Sequence, residues 1–142
     1  MAESTQPNIV FIFADDWGWG DLSCFGHEFA KTPNLDRLAA QGTLFSQFYV
    51  CSGVCSPSRT AVMTGRFPAH WGVHGHFADH TMNANRGMPD WLDGDATTVT
   101  GLLQGSGYSV GHFGKWHLGK GEGAPAPSDY GIDESKTTMN NS

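Results

Sequence analysis

The sequence is poor in cysteine and in basic residues, and two function classes are thereby disfavoured. Three cysteines, Cys24, Cys51 and Cys55, leave at least one thiol unpaired, so a disulfide-stapled scaffold is not expected. Cys51 and Cys55 do not make a zinc site, which needs a second such pair or histidines at set spacing. Lysine and arginine number 8 against 14 acidic residues, a net charge of −6, which argues against nucleic acid as a partner.

Signals for membrane insertion and export are also missing. No apolar run approaches the roughly 20 residues that a membrane-spanning helix needs, so no membrane partner is expected. Residues 1–7 form a polar leader without the basic and apolar segments of a secretory signal. The sequence as given therefore indicates a cytoplasmic protein or one whose signal was removed, and the compartment stays open.

The 142 residues suffice for one small domain built from alternating strands and helices. The apolar run Asn8 to Ala14 is typical of a strand buried on both faces. Two further strands are predicted, over Thr43 to Val50 and Tyr108 to Phe113. This order of elements, with helices between the strands, predicts an α/β fold with a mainly parallel sheet flanked by helices.

Capping residues and helical spacing predict three helices. Thr32 and Pro33 open the first helix, which Gly42 ends with an expected left-handed cap. Ser58 to Thr64 predicts a short second helix, and Thr97 or Thr98 can cap a third. Residues from about 69 to 94 are predicted to form a loop, and residues from about 120 to 142 a loop or frayed tail.

Asp15 and Asp16 follow the first predicted strand directly. Two adjacent carboxylates at the end of a buried strand repel each other, and a Ca²⁺ or Mg²⁺ ion relieves that repulsion by binding their oxygens. On the dipeptide alone, a turn with one helix-capping Asp is the favoured explanation. Lys115 and His117 follow the strand over Tyr108 to Phe113, and ligands bind at the carboxyl ends of strands in such sheets. These four residues are therefore expected at one edge.

Cys55 begins the segment Cys-Ser-Pro-Ser-Arg, which ends at Arg59. A cysteine at a helix N-terminus lies in a positive potential that favours an anion. Arg59, one turn further on, can hold an anionic group with two hydrogen bonds. The residues alone leave open whether Cys55 is a reactive thiol or a buried structural one.

Three motifs together resemble the formylglycine-dependent, arylsulfatase-like sulfatase family. The segment from Cys55 to Gly65 is similar to the signature C-x-P-S-R followed by three variable residues, an apolar position and Thr-Gly. Met63 stands at the apolar position, where leucine is usual. The run from Gly107 to His117 is similar to the second signature. The chain from Pro7 to Asp16 resembles the opening of these enzymes.

The resemblance implies an alkaline-phosphatase-like fold and a set of roles for site residues. Cys55 would be converted to Cα-formylglycine by a formylglycine-generating enzyme. Calcium would be bound by Asp15, Asp16 and the residue derived from Cys55. The remaining catalytic roles fall to three cationic or imidazole side chains: Arg59 would brace the formylglycine, Lys115 would contact the sulfate, and His117 would contact a formylglycine hydroxyl.

The implied activity is hydrolysis of a sulfate ester, on an aryl sulfate or a sulfated sugar. A hydrated aldehyde carries two hydroxyls on one carbon, so one can attack sulfur while the other later expels the sulfate. Family members are often exported or lysosomal. They are several times longer, and their later portion supplies further calcium ligands, a second Lys and a second His. Asn140 and Asn141 are poor candidates for those ligands.

The chain is therefore interpreted as the N-terminal portion, residues 1–142, of a sulfatase catalytic domain, incomplete by itself. Two alternatives stay open: a formylglycine-dependent phosphonate or phosphate ester hydrolase, and an inactive truncated chain that only binds a partner or ligand. The histidines of the 69–94 loop and the scattered surface lysines are expected to be solvated or structural.

Overall fold

A computed structural model describes residues 6–138 of the chain. The chain divides into two compact units, Met1–Gln47 and Phe48–Ser142, and each is described by itself. The first contains one α-helix, α1 (Pro33–Gln41). The second contains α2 (Cys55–Thr64), α3 (His80–Asn85), α4 (Val99–Gly105), β1 (Gly111–Lys115) and β2 (Glu134–Thr138).

Residues 8–14 of the first unit form an apolar segment without regular secondary structure. The predicted strand over Asn8 to Ala14 is wrong in this respect, since no strand is assigned there. Val10 is 84% exposed and its neighbour Phe11 is 69% exposed, so neither face that a strand would have here is buried. A strand is held by ladder hydrogen bonds to a neighbour, and the described residues provide no such ladder to this segment.

Helix α1 forms where the sequence predicts it, but its ends are built differently. Thr32 is the N-cap residue without a capping hydrogen bond from its side chain. Its hydroxyl instead donates to Asp36 at 3.0 Å and lies 2.8 Å from the Ser23 hydroxyl, which ties the helix start to the preceding 3₁₀ turn. Gly42 is extended, with φ −110°, so the expected left-handed cap is wrong.

The predicted strand over Thr43 to Val50 is likewise not formed. In the second unit Phe48 is 81% exposed and Tyr49 77% exposed. Helix α2 begins three residues earlier than predicted, at Cys55, and ends at Gly65 with φ 64°, a left-handed conformation that glycine adopts without steric cost.

The segment predicted as a loop from about 69 to 94 contains regular structure. A 3₁₀ turn covers Pro68–Trp71, and α3 covers His80–Asn85. The Asp79 carboxylate accepts a hydrogen bond from the Met82 amide at 2.9 Å and so caps α3. Without an apolar period, a single-turn helix held by one cap gives little signal in the sequence.

Two short parallel strands form the described sheet. Strand β1 is shifted from the predicted Tyr108 to Phe113, and β2 lies in the segment predicted as a frayed tail. Their register pairs Gly111 with Glu134 and Lys115 with Thr138. The tail prediction is therefore wrong for residues 127–138, which also include a 3₁₀ turn. Asn140 and Asn141 lie outside the described residues.

The core of the second unit fixes the backbone that follows β1. Trp116 and Leu118 are each 2% exposed and pack with Leu92 and Tyr130, whose hydroxyl donates to the Leu92 carbonyl at 2.6 Å. Gly119 has φ 119°, and a Cβ there would lie 2.2 Å from the Cβ of Trp91, so only glycine fits this approach. Lys115 and His117 are therefore held on either side of a buried tryptophan.

Among the residues described, none belongs to a helix long and apolar enough to cross a bilayer.

Candidate active site

Helix α2 presents Cys55 at its first turn. The residue before it, Val54, is extended and provides no side-chain cap, so the amide groups of the first turn give this end a positive potential. The following motif residues are buried, with Ser56 and Thr60 at 0% exposure and Arg59 at 8%. Cys55 itself is not part of a disulfide and has intermediate exposure. The buried motif therefore anchors the helix end at which the thiol lies.

Strand β1 brings Lys115 to the thiol. The Lys115 ammonium donates a hydrogen bond to the Cys55 sulfur over 3.2 Å. Arg59, one turn along α2, donates from Nη1 to the Lys115 backbone carbonyl. One arginine thus fixes the end of β1 against α2, and a lysine from that end places positive charge beside position 55. The structure brings these three predicted site residues together.

His117 has a left-handed backbone conformation. Its φ of 55° lies in a region that residues other than glycine adopt uncommonly, although histidine, asparagine and aspartate do so more often than most. Its Nε2 lies 3.3 Å from the carbonyl oxygen of Phe77. Burial lowers the pKa of His117; the bond to Phe77 opposes this, and the charges of Lys115 and Arg59 add to it. The ring is therefore favoured in its neutral form.

Three residues at this site were not identified from the sequence. Ser56 accepts a hydrogen bond from the Phe77 amide at 3.0 Å, and Phe77 in turn contacts His117. The His76 ring lies 6.2 Å from the His117 ring, between centroids. Ser56 stands at the variable position of its motif, and Phe77 acts through its backbone, so neither gives a sequence signal. His76 was included among the loop histidines expected to be structural.

The other loop histidines mostly make local contacts, as expected for structural residues. Nε2 of His74 lies 3.0 Å from the Arg86 carbonyl oxygen. Nδ1 of His80 contacts the Asp90 carboxylate, which also accepts a hydrogen bond from the buried Asn83 at 3.0 Å. Hydrogen bonds from Asn83 and His80 lower the pKa of Asp90. These contacts fix the loop around α3.

Asp15 and Asp16 lie in the first unit, directly after the apolar segment of residues 8–14. Both are exposed, and a carboxylate oxygen of each lies within 4.8 Å of one of the other. Asp16 has φ 58°, a left-handed conformation that aspartate tolerates better than most residues. Two hard oxygen donors at this separation fit a Ca²⁺ or Mg²⁺ ion, which prefers such ligands.

Comparison with known proteins shows which family this chain belongs to. The family model described as Sulfatase matches residues 7–140. The chain belongs to the sulfatase family. It is 46% identical over 133 residues to human arylsulfatase A, covering 93% of this chain and 25% of that protein. It is 44% identical over 119 residues to N-acetylgalactosamine-6-sulfatase of Sus scrofa, covering 80% of this chain and 22% of that protein.

Solved structures agree with this assignment. The crystal structure of Ps i-CgsB superposes with a TM-score of 0.78 at 36% identity, over 91% of this chain and 27% of that one. A structure named BT33336S-sulf, from work on glycosaminoglycan metabolism by Bacteroides thetaiotaomicron, has a TM-score of 0.79 at 34% identity, over 96% and 29%. The sulfatase chain thus has part of the α/β, alkaline-phosphatase-like fold, as the sequence predicts.

The chain spans about a quarter of the length of the curated relatives it matches. Hydrolysis of sulfate esters is the activity of the family.

Proposed function

We propose that this chain contributes the nucleophile region of a sulfatase that hydrolyses sulfate esters, with position 55 as the reacting residue. The observation that carries the proposal is the contact of the Lys115 ammonium with the Cys55 sulfur, with Arg59 fixing the same strand end. A transferring sulfuryl group spreads negative charge over its oxygens. Cations held in place before the reaction stabilise that charge most effectively.

Each side chain has a separate part in this proposal. Lys115 binds a sulfate oxygen, because its three donors and compact charge suit a group that moves during reaction. Arg59 keeps the Lys115 backbone in place and adds positive charge near position 55. His117 contacts a hydroxyl at position 55 and accepts or returns its proton, a task suited to a ring favoured in its neutral form.

We propose that Cys55 is converted to Cα-formylglycine by a formylglycine-generating enzyme. The support is the match of Cys55 to Arg59 with the signature that such enzymes read. The hydrated aldehyde supplies a nucleophilic hydroxyl and a second hydroxyl on the same carbon. The residues around it then have to bind the sulfate, hold the hydroxyls in line and move one proton.

Asp15 and Asp16 are the proposed calcium ligands, with magnesium as the possible substitute. Their carboxylate donors and their separation fit a hard divalent cation, and the family resemblance adds the residue at position 55. Bound there, the cation would supply positive charge that lowers the cost of forming the nucleophile. The remaining ligands are proposed to come from parts of a longer polypeptide.

The substrate is proposed to be an aryl sulfate or a sulfated sugar. The support is the range of relatives, which includes an arylsulfatase and an N-acetylgalactosamine-6-sulfatase. The pocket walls that would separate these substrates are proposed to lie outside the quarter of the family's length that this chain covers. The same coverage supports the interpretation of the chain as an N-terminal portion with no useful activity alone.

The test is an assay on the chain extended to the length of its relatives and co-expressed with a formylglycine-generating enzyme. The expected result is calcium-dependent hydrolysis of a chromogenic aryl sulfate or of a sulfated sugar, faster than that of matched phosphate and phosphonate esters. Cys55→Ala is the inactive control, and Cys51→Ala is the matched control that keeps activity. A preference for phosphonate or phosphate esters would favour the alternative hydrolase instead.

Peptide mass spectrometry tests the conversion itself. Exchange of sulfur for oxygen with loss of hydrogen lowers the mass of the Cys55 peptide by about 18 Da, while Cys24 and Cys51 keep their thiols (the conversion is an oxidation at carbon, separate from the sulfur oxidation states). Unmodified Cys55 after co-expression would contradict the proposal. The 142-residue chain, even when converted, is expected to turn over an aryl sulfate no faster than its Cys55→Ala variant.

A further inference from the structure

Two hydrogen bonds join Ser56 to His117 through the backbone of Phe77. The Phe77 amide donates to Ser56 Oγ at 3.0 Å, and the Phe77 carbonyl oxygen lies 3.3 Å from His117 Nε2. A carbonyl oxygen can only accept, so His117 Nε2 carries the proton in this contact. In a neutral imidazole, Nδ1 then has the free lone pair.

Because one of these two bonds is buried and the other partly buried, they determine which nitrogen of the His117 ring is protonated. Ser56 is 0% exposed and Phe77 is 4% exposed, so water cannot readily replace the serine hydroxyl as the acceptor. Among residues 6–138, His117 Nδ1 is buried and has no hydrogen-bond partner. Phe77 is therefore the contact that decides which ring nitrogen is protonated.

The backbone around His117 does not set the ring by itself. Its neighbours Trp116 and Leu118 are locked in the core, which fixes the position of the His117 Cα. The ring can still turn about its side-chain torsions, and the choice of tautomer depends on the partner that each nitrogen meets. The Phe77 carbonyl supplies that partner. Ser56 anchors the same residue through its amide, in the preceding peptide group, and Asn83 Oδ1 accepts from the Ala78 amide, in the carbonyl's own peptide group, at 2.9 Å.

We propose that Ser56 is a positioning residue: by anchoring the Phe77 backbone through its amide, it fixes the orientation of the His117 ring and its Nε2–H tautomer. Nδ1 is thereby kept as the proton-accepting nitrogen. The use of that nitrogen in sulfate ester hydrolysis rests on the proposed function, whereas the tautomer does not. Ser56 occupies the variable position of the cysteine motif, so the family pattern assigns it no such part.

Nitrogen NMR of the 142-residue chain tests the assignment without any need for activity. The chain is labelled with ¹⁵N in its histidine rings and studied at mildly alkaline pH, and His117→Gln identifies the His117 signals by their loss. In the native chain we expect a protonated Nε2 signal upfield and an unprotonated Nδ1 signal far downfield. A native spectrum that shows the Nδ1–H tautomer, or averaged signals, overturns the proposal before any Ser56 variant is made.

The variants then separate positioning from simple packing. Ser56→Ala removes the acceptor, and the two His117 signals should lose their separation and move to averaged positions. Ser56→Thr keeps a hydroxyl and should restore the native pattern. Ser56→Cys has nearly the native shape but is a weaker acceptor, and it should fall between the two. Ser106→Ala is the matched control, since its hydroxyl donates to the Leu102 carbonyl at 2.8 Å in α4, and it should leave His117 unchanged.

The signals of His112, whose ring packs edge-on against Trp116, report whether each variant keeps the native core. Native His112 signals with unchanged His117 signals in both Ser56→Ala and Ser56→Cys overturn the positioning part of Ser56 and leave the sulfatase proposal intact. Failure of the extended chain to hydrolyse sulfate esters, with the expected His117 spectra, contradicts the proposed function and leaves the positioning intact.

Discussion

The Lys115 ammonium donates to the Cys55 sulfur across 60 residues of sequence. The bond joins the end of β1 to the start of α2, and Arg59 reinforces the junction through the Lys115 carbonyl. Positive charge is thus in place at position 55 before any substrate binds. Preorganised charge of this kind costs no rearrangement during the reaction, and it is the main means by which enzymes stabilise anionic transition states.

The charge of Lys115 should be measurable as a preference of Cys55 for anionic reagents. Iodoacetate and iodoacetamide react with the same thiolate, so the ratio of their rates isolates the attraction of the anion to nearby cations. Lys115→Met should lower this ratio at Cys55 roughly threefold, corresponding to an interaction below about 1 kcal/mol at a partly exposed site. Peptide mass spectrometry gives the rates for each cysteine.

Lys120→Met is the matched control for this measurement, because Lys120 is an exposed lysine five positions further on. It should leave the ratio at Cys55 unchanged, and Cys24 provides an internal reference in every sample. An equal ratio in the native and Lys115→Met chains would show that the ammonium does not act on position 55 in solution.

The Asp15 and Asp16 carboxylates should decide calcium affinity in the chain extended to the length of its relatives. Asp15→Asn and Asp16→Asn each remove a charged ligand while keeping the side-chain shape. Asparagine also tolerates the positive φ of Asp16, so the backbone is kept. Loss of one donor is expected to weaken calcium binding at least tenfold and to lower turnover about a hundredfold or more.

Calorimetric titration with calcium measures that loss directly. Glu28→Gln is the control, since it neutralises an exposed carboxylate of the same unit that is not a proposed ligand. Native affinity in both aspartate variants would mean that the pair only shapes the turn, which is the second reading left open by the sequence.

Acid should destabilise the second unit through its partly buried histidines. Burial lowers the pKa of His112, and the charge of Arg59 lowers it further; burial also lowers the pKa of His117. Both start from an ordinary value of 6.5, which the unfolded chain keeps. Below that pH the unfolded state binds protons first, so stability is full above it and declines as the pH falls through the lowered folded values.

Urea unfolding at about pH 7.5 and about pH 5.5 checks this expectation through the shift of the midpoint. His112→Gln removes one of the two titrating groups and should make the shift smaller. His27→Gln, in the first unit, is the matched control and should leave the shift as in the native chain. A shift of the same size in His112→Gln as in the native chain would count against a contribution from this ring.

Thr98 should stabilise the second unit more than its neighbour Thr97. The Thr98 hydroxyl accepts from the Gly101 amide at 3.1 Å, which caps α4, and donates to the Tyr130 carbonyl at 2.9 Å. Thr98→Val keeps the shape and loses both bonds, which should lower the free energy of unfolding by about 1–3 kcal/mol. Urea unfolding measures the loss; Thr97→Val, at an exposed position, should change it by less than about 0.5 kcal/mol.

Capping and helix-start preferences correctly predict the starts of two helices, which depend on residues adjacent in the sequence. Proline after Thr32 and the threonine before Val99 predict the starts of α1 and α4, and both helices form there. Two of the three predicted strands do not form and the third is shifted, because a strand is stable only with a partner strand. Residues 8–14 are apolar but no strand is assigned to them, whereas the polar segment Glu134–Thr138 is a strand because β1 pairs with it.

The sequence by itself determined the family. It also predicted the site residues Cys55, Arg59, Lys115, His117, Asp15 and Asp16, since these lie within motifs that occur in order along the chain. Only the tertiary structure decided that Lys115 reaches the Cys55 sulfur and that Ser56 reaches His117 through the Phe77 backbone. A sequence motif specifies the side chains of residues that are close together in the chain. Contacts between residues tens of positions apart depend on how the ends of helices and strands pack. Phe77 makes its contacts through backbone groups, which nearly every residue type has, so the sequence does not reveal them.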